Sequence, residues 1–157
     1  MVTTGWSSLS KELLFDSLRG RHVTATPEER VRQRWICHMV GALGYPRELL
    51  AIEKQLQELP HLAGSPLPLP ERRIDLLCYG RGVDSSSTLY PLLLIECKAT
   101  PLTEQALHQV LGYNAHVGAR FVALVAENQA YFCEATQNRQ GASLPTYQEL
   151  LNWIVLS

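Results

Sequence analysis

A chain of 157 residues, 46% hydrophobic and 18% charged, suits one domain with a single core and excludes a fibrous or disordered architecture. Its formal net charge of −1 excludes a surface that is basic all over, so any phosphate-binding face must be local. The longest apolar run, Leu89 to Ile95, is broken by Pro91 and is far shorter than the roughly 20 residues of a membrane span. Met1 to Ser10 has no secretory pattern, so a cytoplasmic protein without a membrane segment is expected.

In chain order, residues 9–19 (LSKELLFDSLR) space Leu9, Leu13, Leu14 and Leu18 helically before Gly20, which predicts a short helix within an N-terminal extension over residues 1–25. Thr26-Pro27-Glu28-Glu29 is a helix start, with Thr as cap, Pro at the first helical position and Glu three after the cap. The helix should run to about Leu43, burying Val31, Trp35, Ile36 and Met39 and exposing Arg30, Arg32 and Arg34. Leu49 to Leu59 suits a helix by propensity and a first strand by its flanking prolines, and the strand is the preferred reading.

RRIDLLCY (72–79) and PLLLIECKA (91–99) read as strands joined by a Gly- and Ser-rich loop. Thr103 to Gly118 carries the helical row Ala106, Val110, Tyr113 and Val117. Two more strands follow, Phe121 to Val125 and Ala130 to Glu134, and then a closing helix over 146–155. The order α-α-β-β-β-α-β-β-α predicts a single α/β domain, with a mixed sheet of about five strands flanked by helices and its core in residues 26–134.

Within PLLLIECKA, alternation puts Glu96 and Lys98 on one face and Cys97 on the other. The run is apolar on both faces, as in a central strand, where charges need partners or a metal. Pairing with the preceding strand brings the Asp75 carboxylate near Glu96. Two close carboxylates repel unless a proton or cation intervenes, and an oxygen-rich pair suits Mg²⁺ or Mn²⁺. Lys98 on the same face is suited to act on a water or on a phosphorane-like transition state, so the implied reaction is phosphodiester hydrolysis.

Asp75, twenty intervening residues and then Glu96-Cys97-Lys98 resemble the D-x(n)-E-x-K motif of the PD-(D/E)XK nuclease superfamily. TPEERVRQ with GYP after it, RRIDLLCY, IECKA and QVLGYN further resemble the N-terminal nuclease domain of type I restriction enzyme R subunits, over residues 26 to about 130. The resemblance implies a restriction-endonuclease-like fold in which Asp75 and Glu96 bind the metal, the Cys97 carbonyl adds a ligand and Lys98 is catalytic. It also implies a Glu from the first core helix at the site, Glu29 or Glu28, and a Gln and Tyr one turn apart, matched by Gln109 and Tyr113. The chain departs from a full R subunit in carrying no helicase motor, so a stand-alone domain is expected, with any motor or specificity function supplied by a partner protein.

The competing readings are structural. Glu96 and Lys98 also suit a strand-end ion pair, Asp75 a pair with Arg72 or Arg73, Glu29 the capping box of its own helix, and Tyr113 a core position. For DNA, an enzyme should gather Arg30, Arg32, Arg72 or Arg73 around the acidic pocket, with Tyr113 beside them. The four cysteines, Cys37, Cys78, Cys97 and Cys133, and the five histidines show neither zinc spacing nor a Cys nucleophile with its base. The expected function is a metal-dependent deoxyribonuclease. The alternative is a catalytically silent nuclease-fold module, an accessory to a restriction or repair assembly. Cutting both strands of a duplex would need two sites, which makes a homodimer one expected form.

Overall fold

The computed structural model describes residues 11–83, 89–136 and 139–155. Its elements are β1 (Leu13–Asp16), β2 (Arg21–Thr24), α1 (Pro27–Gly41), β3 (Leu50–Ile52), β4 (Leu76–Gly80), β5 (Tyr90–Cys97), α2 (Glu104–Val117), β6 (Phe121–Val125), β7 (Ala130–Glu134), β8 (Gln140–Gly141) and α3 (Tyr147–Val155). The expected mixed α/β sheet is present and has six strands in the order β3-β4-β5-β6-β7-β8. The sixth, β8, is only two residues long, too short for a sequence pattern, and adds to the five expected strands.

Why this order arises follows from burial. Leu92, Leu93, Leu94 and Ile95 of β5 and all five residues of β6 are buried, as central strands covered on both faces require. These two strands are parallel, pairing Leu93 with Phe121 and Cys97 with Val125, because α2 carries the chain back over the sheet between them. The other pairings are antiparallel. Thr103 caps α2 by accepting from the Ala106 amide at 3.1 Å, and Gly118 closes it in the left-handed region at φ 75°. Val110, Tyr113 and Val117 bury the inner face of α2 as the periodicity predicts.

Helix α1 is capped as expected, with Thr26 Oγ1 accepting from the Glu29 amide at 3.1 Å. The reciprocal half of the capping box does not form, since the Thr26 amide donates to the Thr24 carbonyl. Trp35 donates its indole N–H to the Ala126 carbonyl at 2.7 Å and so ties α1 to the end of β6. The closing helix α3 has the full reciprocal cap between Thr146 and Glu149.

Two expectations are corrected. The described part of the N-terminal extension is a β-hairpin, β1 paired with β2, rather than a helix; Leu9 and the rest of 1–10 lie outside the described residues. Asp16 decides this, because its Oδ1 accepts from the amides of Leu18 and Arg19 at 2.8 and 3.0 Å and folds the chain into a turn that Gly20 completes at φ 65°. The leucines at helical spacing do not decide the fold here, because Asp16, the buried residue of β1, makes the turn. Of Leu49 to Leu59, only Leu50–Ile52 forms a strand. It gives way to 3-10 turns at Leu56–Glu58 and Pro60–Leu62, where the Glu58 carboxylate accepts from the Gln55 amide at 2.7 Å.

Because α1 depends on one side-chain cap at its start, Thr26→Ala should lower stability by about 1 kcal/mol in equilibrium urea denaturation. A change below roughly 0.3 kcal/mol would show that the cap is idle.

Candidate active site

Three strands end at one level of the sheet. Ile52 pairs with Leu76 and Leu76 with Ile95, so Glu53 just after β3, Asp75 just before β4 and Glu96 next to the end of β5 come side by side. The Glu53 amide donates to the Asp75 carbonyl at 3.1 Å and extends this register by one step. Asp75 is buried, and its Oδ2 accepts from the Cys97 amide at 2.8 Å, which locks it to the end of β5. Glu53 reaches its place through a left-handed backbone at φ 53°, a conformation that side chains other than Gly rarely adopt.

Arg32 enters from α1 and is buried against these acids. Its Nη2 meets Glu53 Oε1 at 2.7 Å, Asp75 Oδ1 at 2.9 Å and Glu28 Oε1 at 3.5 Å, while Nη1 pairs with Glu29. Burial works against the charge, but Asp75, Glu29 and Glu53 outweigh it and hold the proton more firmly than usual. Arg32 Nε is buried with no hydrogen-bond partner. The expectation that Arg32 lies on an exposed, phosphate-gripping face is therefore corrected: Arg30 and Arg34 are exposed, whereas Arg32, between them in sequence, points inward.

Glu96 is the acid whose charge is least well accommodated. Burial and then the Asp75 carboxylate raise its pKa from 4.5 to about 7, against the pull of Lys98 and Arg72. Lys98 Nζ lies 3.6 Å and Arg72 Nη2 3.7 Å from the same Glu96 oxygen. The Lys98 amide donates to the Val125 carbonyl at 2.8 Å, which fixes the chain just past β5. Arg72 also lies over the Tyr113 ring, 4.2 Å from its centre, and the buried Tyr113 hydroxyl has no partner. Lys98 and Arg72 are partly exposed, so both can meet a ligand from solvent.

Between the two candidate glutamates of α1, the structure brings Glu28 to the pocket. Burial and then Asp75 raise the Glu28 pKa, with Arg32 and Lys98 opposing, and Glu28 in turn acts on Glu96. Glu29 lies in the same cleft, but its carboxylate is taken up by Arg19, Arg32 and the side-chain amide of Gln33, which donates at 2.9 Å. The two glutamates help line a cleft of about 510 Å³ with Thr26, Arg32, Glu53 and Ala99.

The remaining residues divide. Gln109 is exposed on α2, one turn before Tyr113, and makes no hydrogen bond to a described residue. Arg30 is exposed and paired with Glu12, and Arg73 is exposed at 3.6 Å from Glu53. The Cys97 thiol is buried and its pKa raised by burial, so it is no nucleophile. Glu53 escaped the sequence reading, although its signal was the acid closing the apolar run LLAIE at the end of a short strand.

This donor set fits a hard divalent cation. Asp75 and Glu96 face each other across neighbouring strands, and each Asp75 oxygen accepts one of the bonds described above, leaving lone pairs. Burial first and the Asp75 carboxylate second raise the Glu96 pKa, and a cation bound between the two acids would offset both. Among the described residues no group of three or more His, Cys, Asp or Glu side chains is placed to hold a metal ion, so the protein would offer only two carboxylates, a set that Mg²⁺ completes with waters.

A family model described as type I restriction enzyme R protein N terminus (HSDR_N) matches residues 27–149. Among solved structures, a fragment assigned to an HsdR subunit of a type I restriction enzyme from Vibrio vulnificus YJ016 superposes with a TM-score of 0.55 at 14% identity. The match covers 80% of this chain and 24% of that one, so the likeness is one of fold over a part of the longer chain. Among curated proteins no relative matches. No helix among the described residues is long and apolar enough to cross a membrane.

The Glu96 shift carries a sign. Folding favours the protonated acid, so that contribution is whole below pH 4.5 and is lost as pH rises through about 7. Glu96→Gln removes the charge for good. The metal-free variant should be more stable than the parent at pH 8, on the order of 2 kcal/mol by denaturant melts, and equal to it at pH 4.5. A variant less stable at pH 8 would mean that the Lys98 and Arg72 pairs outweigh the burial cost.

Proposed function

Because this chain belongs to the family of type I restriction enzyme R protein N termini, we propose that it is a metal-dependent nuclease domain of the PD-(D/E)XK type that hydrolyses DNA phosphodiester bonds. The observation that carries this reading is the meeting of Asp75 and Glu96 at adjoining strand ends with Lys98 Nζ 3.6 Å from Glu96. Burial and then the neighbouring Asp75 carboxylate raise the Glu96 pKa against the pull of Lys98 and Arg72, so the pair with Lys98 does not fully offset the cost of this charge.

Asp75, Glu96 and the Cys97 carbonyl would hold Mg²⁺ or Mn²⁺, which when bound supplies positive charge at the phosphoryl group and lowers the pKa of a water. Asp75 is oriented for this by its bonds from the Cys97 amide and Arg32. Lys98 donates from its ammonium group to the attacking water or to a phosphoryl oxygen, stabilising charge that grows as the bond to the leaving oxygen breaks. Arg72, held over Tyr113 at the pocket rim, takes a neighbouring phosphate. Glu28 tunes the pocket's potential in the place first expected for Glu29. DNA is the substrate and the other subunits of a restriction assembly are the partners that the family context supports.

Lys98→Ala removes a partly exposed side chain and should leave the melting temperature nearly unchanged. Cleavage of plasmid DNA in Mg²⁺ or Mn²⁺ should fall about 10²-fold or more. A variant that nicks as fast as the parent would remove Lys98 from the mechanism.

A further inference from the structure

A second cleft, of about 440 Å³, lies between the turn of the N-terminal hairpin and the outer edge of β3. Four cations converge on it from four segments: Arg21 at the start of β2, Arg47 in the turn before β3, Lys54 just after β3 and Arg73 just before β4. All four are exposed. Arg21 and Lys54 have no ion pair with a described residue, and Arg47 gives one bond, at 2.7 Å, to the Ser17 carbonyl and keeps its other donors. Arg19 also lines the cleft, but it is turned to Asp16 and Glu29. Glu53 is the one acid in the wall, and it also lines the cleft that holds Glu28, Glu29 and Arg32, so the two clefts meet at this residue, whose amide donates to the Asp75 carbonyl.

We propose that this cleft is a phosphate track that leads the backbone of a DNA strand to the acidic site. The inference rests on the nuclease reading and adds a binding surface to it. In a chain of net charge −1, a cluster of four cations of which only Arg73 is ion-paired, to Glu53 at 3.6 Å, is a local exception, and it adjoins the candidate site. An edge strand is often blunted by a single charge, but four cations from separate segments exceed that need. β3 is the last strand of the sheet order, so its outer main-chain N–H groups can add bonds to phosphate oxygens. The hairpin that replaces the expected N-terminal helix forms one wall, and Arg47 fastens it to the other through Ser17. This gives the hairpin a function that burial does not explain, since Leu13 and Phe15 on it remain exposed.

The test is fluorescence anisotropy of labelled duplex and single-stranded DNA with the full chain in chelator, where cleavage cannot interfere. Arg21→Glu, Arg47→Glu and Lys54→Glu are combined in one variant, with Arg34→Glu on the far face of α1 as a charge control. The combined variant should bind about tenfold or more weakly to at least one form of DNA, with the slope of log K against log salt shallower by about 2 to 3. The control should stay within about twofold, with melting curves showing both folded. Unchanged affinity and slope in the combined variant, an equal loss in the control, or no binding by the parent chain would overturn the proposal. Because this readout needs no metal, a track can stand where Lys98→Ala shows no cleavage to lose, and loss of the track leaves the cleavage test intact.

Discussion

One buried guanidinium organises this end of the molecule. Arg32 brings a single cation to four carboxylates, Glu28, Glu29, Glu53 and Asp75, drawn from α1 and from two strand ends. Removing such a charge from water is costly, and only the surrounding acids make its position tenable. The arrangement sets where α1 lies on the sheet, holds Asp75 against the Cys97 amide, and reaches the hairpin through Glu29 and Arg19. Removing Arg32 would leave several acids crowded without their counterion, a larger disturbance than the loss of one surface pair.

Against that fixed frame, Glu96 stands out because its partners are looser. Asp75 accepts two close bonds, whereas Lys98 and Arg72 stand at 3.6 and 3.7 Å from Glu96. Burial and a neighbouring carboxylate leave it with a raised proton affinity, a condition that a divalent cation would relieve better than either distant side chain. The pocket thus joins a rigid acid, a poorly satisfied acid and a partly exposed amine.

The sequence made the central strands, the capped helices and the Asp75–Glu96–Lys98 group legible, because each rests on local pattern. Apolar runs of β5 and β6 announce burial, Thr26-Pro27 announces a helix, and an acid and an amine two apart on a buried strand announce a shared face. What stayed hidden depends on contacts across the fold. Nothing near Arg32 in sequence reveals that it turns toward Glu53 and Asp75 while Arg30 and Arg34 face outward. Choosing Glu28 over Glu29 required the position of Arg19, which belongs to a hairpin whose leucines mimic helical spacing. Glu53 follows a three-residue strand, too short to give a periodic signal, and takes a backbone conformation that no local preference predicts.

The central claim is that Asp75 and Glu96 share one divalent cation. The most direct measurement is anomalous diffraction from crystals of the chain grown with Mn²⁺ above pH 7, where Glu96 is ionised. The account predicts one strong peak about 2.1 Å from a carboxylate oxygen of each residue. An empty position there at saturating Mn²⁺, or an ion held by the Glu28, Glu29 and Glu53 group without Asp75 and Glu96, would contradict it.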